Sequence, residues 1–364
     1  MIQKKYDKFF LWISGALVLA GLFILSSASF GLLNKKGVTM SSVMLRQILI
    51  GIGFGGGLFL IASKIDYRKT QKFALPLFVF SFILTLLVFE PHIGFEHGGA
   101  RRWLMLGPFF FQPAELLKLG FVFYLSSWIA SRKKEIETIE GGLIPFLIFL
   151  GLVGLLLIFQ PDLGTFGVIA LTSAAMYFVG GGRLKHMAIM ALVGVITVTA
   201  LVFIKPHAMA RFSVFFDPSG DPQGIGYQMK QVLIAVGSGG IMGRGLGMSI
   251  QKFHYLPEPV GDSIFAVFAE EFGFIGSVFL VGLFILFLYR GFHIAKKAPD
   301  PFGKLLATGI TSSIIIQSLV NISTMVGLIP LTGLPLIFVS QGGSALAIAM
   351  AEVGILLNIS KQGR

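Results

Sequence analysis

Several ionisable residues stand in or beside long apolar stretches, where an unpaired charge is costly and needs a reason to be there. Glu115 and Lys118 are three apart. On a helix they share a face and can neutralise each other, as a structural ion pair or as part of a polar site. Asp162, in Gln160-Pro-Asp-Leu-Gly164, precedes an apolar run and suits an N-cap, a position that can also face a cavity. Glu270 and Glu271 suit interhelical hydrogen bonds, and Glu352, towards the C-terminus, suits snorkelling or pairing. Asp262 is different. It follows Tyr255-Leu-Pro-Glu-Pro-Val-Gly261, a proline-stiffened segment that holds a second carboxylate, Glu258. One use for it is an N-cap. The other is a general base, because a fixed carboxylate at a membrane surface, beneath a long loop, suits proton abstraction from a lipid-borne substrate. The six histidines show no ligand spacing, and without cysteine there is no thiol catalysis, disulfide or Cys-ligated metal.

These groups need a scaffold. At 364 residues, 55% hydrophobic and 13% charged, with mean hydropathy +0.85, the chain is too apolar for a soluble domain, which carries about 25% charged residues. Its apolar residues fall in blocks of about 18–25, the length that crosses the hydrocarbon as a helix. Ten such blocks are predicted, at 9–33, 46–63, 73–90, 113–130, 143–159, 163–180, 186–204, 263–290, 304–327 and 333–359. The fold expected is all-α: one polytopic membrane domain over residues 1–364, with about ten transmembrane helices. The first block is long enough to span and shows no small-residue cleavage site, so it is expected to be a span and not a signal peptide.

A net charge of +12 invites a nucleic-acid partner, but the basic residues do not form one patch. Most sit in short segments at alternate helix ends: Lys4, Lys5, Lys8; Lys64, Arg68, Lys69, Lys72; Arg132 to Lys134; Arg183, Lys185; Arg290, Lys296, Lys297, Lys304; and Lys361, Arg364. By the positive-inside rule that side is cytoplasmic and holds both termini, as an even number of spans requires. No nucleic acid is expected. The outer side carries two long loops, about 91–112 and 205–262, the second between the seventh and eighth spans. Long ordered loops are usually functional. In the second, Asp217-Pro218 and Asp221-Pro222 predict turns, and Tyr227 to Val236 predicts a short interfacial helix. Gly237-Ser-Gly-Gly-Ile-Met-Gly-Arg-Gly-Leu-Gly247 follows and permits tight turns.

Together these segments resemble the SEDS family of bacterial cell-wall polymerases, the group containing FtsW, RodA and SpoVE. The resemblance covers nearly the whole chain. It rests on Gly99-Ala-Arg-Arg-Trp103, Gln112-Pro-Ala-Glu-Leu-Leu-Lys118, Gln160-Pro-Asp-Leu-Gly-Thr165, Phe216-Asp-Pro218, and Asp221-Pro-Gln-Gly-Ile-Gly-Tyr-Gln228. Gln251-Lys252, Leu256-Pro-Glu258 with Asp262, Gly327-Leu-Ile-Pro-Leu-Thr-Gly-Leu-Pro335 and Ser340-Gln-Gly-Gly-Ser344 complete it. Their order and their placement on one membrane face make the combination specific, and the wording around Gln251-Lys252 is closer to FtsW than to RodA. Family members commonly read His-Thr-Asp where this chain has Val260-Gly-Asp262, and a Tyr where it has Gln341.

The resemblance implies a peptidoglycan glycosyltransferase that polymerises lipid II at the outer face of the bacterial cytoplasmic membrane, in division or elongation. It works with a class B penicillin-binding protein and other division or elongation proteins. The family's catalytic aspartate falls on Asp262, and Arg102, Glu115, Lys118, Asp162, Gln228, Lys252, Glu258 and Ser340 are implied as substrate-binding residues. The chemistry fits. A sugar hydroxyl is a poor nucleophile, so a carboxylate taking its proton contributes about 10²–10⁴-fold, with base and leaving group on opposite faces of the sugar. Departing pyrophosphate needs positive charge, from a divalent cation (Mg or Mn) or from basic side chains. No organic cofactor is expected. Of the outer candidates Arg101, Arg102, Lys118, Arg211, Arg244 and Lys252, the family match favours Arg102, Lys118 and Lys252. A lipid II flippase would use the same bundle and buried charges, and a scaffold of the division machinery would need only surfaces.

Overall fold

With no water in hydrocarbon, each backbone N–H and C=O of a span must be paired within the chain, so the apolar blocks become helices. The computed structural model describes residues 6–32, 40–97, 100–107, 109–217, 221, 224–253 and 255–363. Lys4, Lys5, Gly98, Gly99, Pro218, Pro222, Gln223, His254 and Arg364, singled out above, alone or in a motif, lie outside the described residues.

In chain order the helices are α1 (Lys8–Leu32), α2 (Ser42–Lys64), α3 (Tyr67–Phe89), α4 (Pro113–Ser131), α5 (Ile139–Phe159) and α6 (Leu163–Val179). They continue with α7 (Leu184–Ile204), α8 (Pro206–Phe216), α9 (Ile225–Ser238), α10 (Ile264–Lys297), α11 (Pro301–Met325) and α12 (Gly343–Gln362). Among the described residues, 8 of these are long and apolar enough to cross a membrane. The two remaining predicted blocks are the charge-bearing α4 and the shorter α6. The chain is a polytopic helical membrane protein. Its centre is α11 and α12, whose most apolar windows are 83% and 78% buried, whereas no residue in that of α7 is buried, which puts α7 on the rim.

Four local features depart from the sequence prediction. First, the loop at 91–112 is not helical or irregular: β1 (Gly94–His97), β2 (Ala100–Leu106) and β3 (Phe109–Phe111) form an antiparallel sheet in that order. Phe95 of β1 and Phe110 of β3 meet over the central strand, ring centroids 4.8 Å apart, so the two outer strands share an aromatic contact on one face. Second, the loop at 205–262 contains two helices; α9 matches the predicted interfacial one, and α8 was not foreseen.

Third, α10 is broken at Gly273, whose φ of 63° and ψ of −161° are non-helical. A Cβ there would lie 2.3 Å from the backbone nitrogen of Gly243, so only glycine fits. The groups freed by the break are re-paired by the glycine-rich loop: Arg244 N and Gly245 N donate to Glu270 O and Glu271 O, each at 3.0 Å, and Phe274 N donates to Gly240 O at 2.9 Å. Fourth, the last span starts at Gly343, not at residue 333. Gly327 (φ 74°), Pro330, Gly333 (φ 72°) and Pro335 break the helical pattern, and residues 326–342 fold back into the bundle as a non-helical segment. It is not a surface loop. Leu336, Phe338 and Val339 on it are buried in the core.

Candidate active site

Asp262 sits one residue before the cap of α10, at the end of a tight turn in which Gly261 N and Ser263 N both donate to Glu258 O, at 3.0 and 3.3 Å. The turn bends Glu258 into the left-handed region (φ 48°), which non-glycine residues seldom occupy. The in-folded segment 326–342 then fixes it from the other side. Ser340 Oγ donates to Gly261 O at 2.7 Å, Gln341 N donates to Val260 O at 2.8 Å, and the Leu336 N–H in turn donates to Ser340 Oγ at 2.8 Å. Gln47 of α2 holds the same strip: its Nε2 donates to Ser340 O at 3.3 Å and its Oε1 accepts from Gly342 N at 3.1 Å.

The two oxygens of the half-buried Asp262 carboxylate have different surroundings. Oδ1 accepts from Ser263 Oγ at 3.2 Å and, at the long distance of 3.5 Å, from Gln228 Nε2 of α9. Oδ2 lies beside Gly333, where a Cβ would be 3.9 Å from Oδ2 and 3.6 Å from Nη2 of Arg211. Glycine at 333 thus leaves room between a carboxylate and a guanidinium. Burial, and then the charge of Glu258, push the Asp262 carboxyl up to about 6, with Ser263, Arg211 and Gln228 pulling the other way. Arg211, on α8, donates from Nη1 to Thr332 O at 2.8 Å, while its Nε is buried and has no partner among the described residues. Burial and the charge of Arg102 draw its pKa down, and Asp262 and Asp162 oppose that.

The other sequence-predicted residues fall into three places. Arg102 donates to the carbonyls of Gln160 and Pro161, and the carboxylate of Asp162 next to them caps α6, accepting from Thr165 Oγ1 at 2.9 Å and Thr165 N at 3.3 Å. Both residues are close enough to Arg211 for their charges to act on it. Glu115 and Lys118 form a buried pair at 2.9 Å; Lys118 also donates to Gln317 Oε1, and Gln317 Nε2 donates to Pro335 O at 3.2 Å. That chain of bonds runs from the pair to the segment that braces Asp262. Glu352 is buried in the interior within reach of the charges of Lys118 and Glu115, so it does not snorkel.

Lys252 stands apart. It is 1% exposed, and its ammonium is held by Glu271 at 2.6 Å and Ser27 at 3.3 Å. Glu270 grips the preceding turn through Ile250 N at 3.0 Å and Gln251 N at 3.2 Å. The two glutamates therefore staple the long loop to the bundle ahead of Asp262. Likewise the hydroxyl of Ser340, implied as a substrate contact, is occupied in holding the Asp262 turn.

Sequence reasoning passed over Asn321 and set Arg211 behind other cations. Asn321 is fully buried, and Gln317 lies one helical turn before it on the same face of α11. Two large amides four apart in an apolar span were a usable signal.

Comparison with known proteins decides the family. The cell cycle protein family of FtsW, RodA and SpoVE matches residues 8–364. This chain belongs to that family. It is 39% identical over 349 residues to stage V sporulation protein E of Bacillus subtilis (strain 168), spanning 96% of this chain and 95% of that protein. To the probable peptidoglycan glycosyltransferase FtsW of Geobacter sp. (strain M18) it is 37% identical over 362 residues, 99% and 98% of the two chains. A chain solved in a study of a peptidoglycan synthase complex that coordinates polymerization and crosslinking superposes with TM-score 0.81 at 30% identity, covering 98% of this chain and 97% of that one. The rod shape determining protein RodA of Thermus thermophilus superposes with TM-score 0.72 at 27% identity, covering 98% and 96%.

Proposed function

We propose that this protein is a peptidoglycan glycosyltransferase that polymerises lipid II at the outer face of the bacterial cytoplasmic membrane, with Asp262 as general base. The observation that carries this is the Asp262 carboxylate, held through Oδ1, raised to about 6, and lying with the Arg211 guanidinium beside the open face of Gly333. The hydroxyl oxygen of one sugar attacks the anomeric carbon of the next. Its proton passes to Asp262, and the bond from that carbon to the pyrophosphate oxygen breaks, the electron pair leaving with polyprenyl pyrophosphate. Arg211, with Arg102 behind it, supplies positive charge for the leaving group, and a carboxylic acid group near neutrality suits proton transfer at working pH. Among the described residues no three His, Asp or Glu side chains group to hold a metal ion; a divalent cation, Mg or Mn, would be held by Asp262 and Glu258 with help from the substrate, and would supply positive charge for the leaving group.

Both termini lie in the cytoplasm by the charge asymmetry of the loops, and a class B penicillin-binding protein is the expected partner. The relatives named FtsW and the match to a peptidoglycan synthase complex support this reading. The test is polymerisation of lipid II by the purified protein with its cognate transpeptidase and Mg or Mn. Asp262→Asn should lower the rate by about 10²–10⁴-fold. Full activity of that variant would sink the base assignment, and absence of glycan from the wild type, where a known polymerase works, would sink the enzyme.

A further inference from the structure

At the membrane end remote from Asp262, the start of α1 and the last turns of α10 and α12 border an open cavity of about 430 Å³. Lys8, Arg290, His293 and Lys297 line it, and Asp7 is the one carboxylate among its lining residues. Positive charge at this end is what insertion demands of any polytopic protein. A cavity lined by charges left over is not. The carboxylate of Asp7 is already used: Oδ1 accepts from Phe10 N at 3.0 Å as the cap of α1, and Oδ2 accepts from Arg290 Nε at 2.8 Å. Ser360 Oγ is used too, donating to Leu357 O at 2.7 Å and accepting from Asp7 N at 3.1 Å. Among the described residues neither Lys8 nor Lys297 has an ion-pair partner, and Arg290 spends only Nε on Asp7. The polar groups of Asp7 and Ser360 are thus satisfied, and Lys8 and Lys297 line the space with no counterion among the described residues.

We propose that this cavity binds a phosphate-bearing anion, supplied by the headgroup of an anionic lipid in the adjoining leaflet. Its flank suits a lipid. Phe9, over whose ring Arg290 lies at 5.5 Å, and Trp12 one turn further along α1 are exposed, as is Tyr289, stacked on His293. Aromatic rings at this depth are the side chains that sit at the headgroup level. Basic pockets between spans on the cytoplasmic side are known to take phosphate headgroups, each nearby lysine adding to the attraction. The site is independent of the chemistry at Asp262.

The test uses the full-length protein purified in detergent. Phosphatidylglycerol and phosphatidylcholine are titrated in, with bound lipid read by native mass spectrometry, and inorganic phosphate forms a separate arm. Lys8→Gln with Lys297→Gln removes two free cations and leaves the Asp7–Arg290 pair intact. The wild type should retain phosphatidylglycerol over phosphatidylcholine, and the double variant should lose roughly 30-fold in that affinity. Lys133→Gln with Lys134→Gln, basic residues of the same membrane side but outside the cavity, should change it little. Equal losses in both double variants would reduce the effect to general surface charge and overturn the site, as would a wild type that neither prefers phosphatidylglycerol nor binds inorganic phosphate. Binding of inorganic phosphate but not lipid, lost in the Lys8 and Lys297 variant alone, would keep the anion site and make its source a soluble phosphate.

Discussion

The side-chain nitrogen of Asn321 lies 2.7 Å from the backbone oxygen of Asp262 and, with its second hydrogen, 2.7 Å from that of Leu334. One buried amide in α11 thus ties the turn that carries the carboxylate to the segment that faces it. The distance between Asp262 and Arg211 depends on that tie, because Arg211 is bound to Thr332, two residues before Leu334.

Asn321→Ala should therefore harm turnover more than folding. It leaves two buried carbonyls without a donor, about 1–3 kcal/mol each at most, partly recovered by water or relaxation. A fall in kcat of roughly tenfold or more, with KM little changed, is expected in the lipid II assay, because the base moves while substrate contacts stay. Wild-type kcat at a lowered melting temperature would mean that Asn321 only stabilises.

The pH dependence follows from Asp262. Its carboxyl is held at about 6 by burial and then by Glu258, and it accepts a proton only when ionised. The polymerisation rate should rise with pH through about 6 and level off above it. Glu258→Gln removes a raising influence and should move that limb to lower pH. An unmoved limb in initial rates would remove Glu258 from the electrostatics of the site.

The same shift predicts a stability change of opposite sense to the activity change. The folded value, about 6, is above the ordinary 3.8, so the folded protein holds this proton more tightly than the unfolded chain does. The stability this brings is complete below about 4 and is lost as pH rises through about 6. At neutral pH Asp262→Asn should consequently be much slower and more stable, by on the order of 1–3 kcal/mol. Thermal melts in detergent at roughly pH 7 and pH 4.5 test it: the gain should shrink at the lower pH.

Gly333→Ala probes the space between base and guanidinium. The φ of 72° strains an alanine by about 1 kcal/mol, and its methyl would stand 3.6 Å from Arg211 Nη2 and 3.9 Å from Asp262 Oδ2. Stability should drop slightly and activity by at least tenfold, since the methyl occupies the gap the reacting groups need. Activity that falls only in step with the melting temperature would argue that the gap is empty of chemistry.

Apolar blocks, alternating basic loops and an aspartate after a proline-stiffened turn were all visible in the linear order of residues. Span length and charge bias are local properties, set by the thickness of hydrocarbon and the cost of moving lysine across it, and so the ten blocks and the residue Asp262 could be named without a fold. Partnership is not local. Glu271 lies 19 residues from Lys252 and 244 from Ser27, and only the packing of α10 on α1 and the loop turns these three into one bonded group. The sheet at residues 94–111 and the in-folded strip 326–342 were hidden for a related reason. An apolar run is equally compatible with helix and with buried extended chain, and Gly327, Pro330, Gly333 and Pro335 settle the matter only when there is a bundle to fold back into. Asn321, Arg211 and Gly333 acquire their relation to Asp262 in the same step, from elements that meet only when the bundle closes.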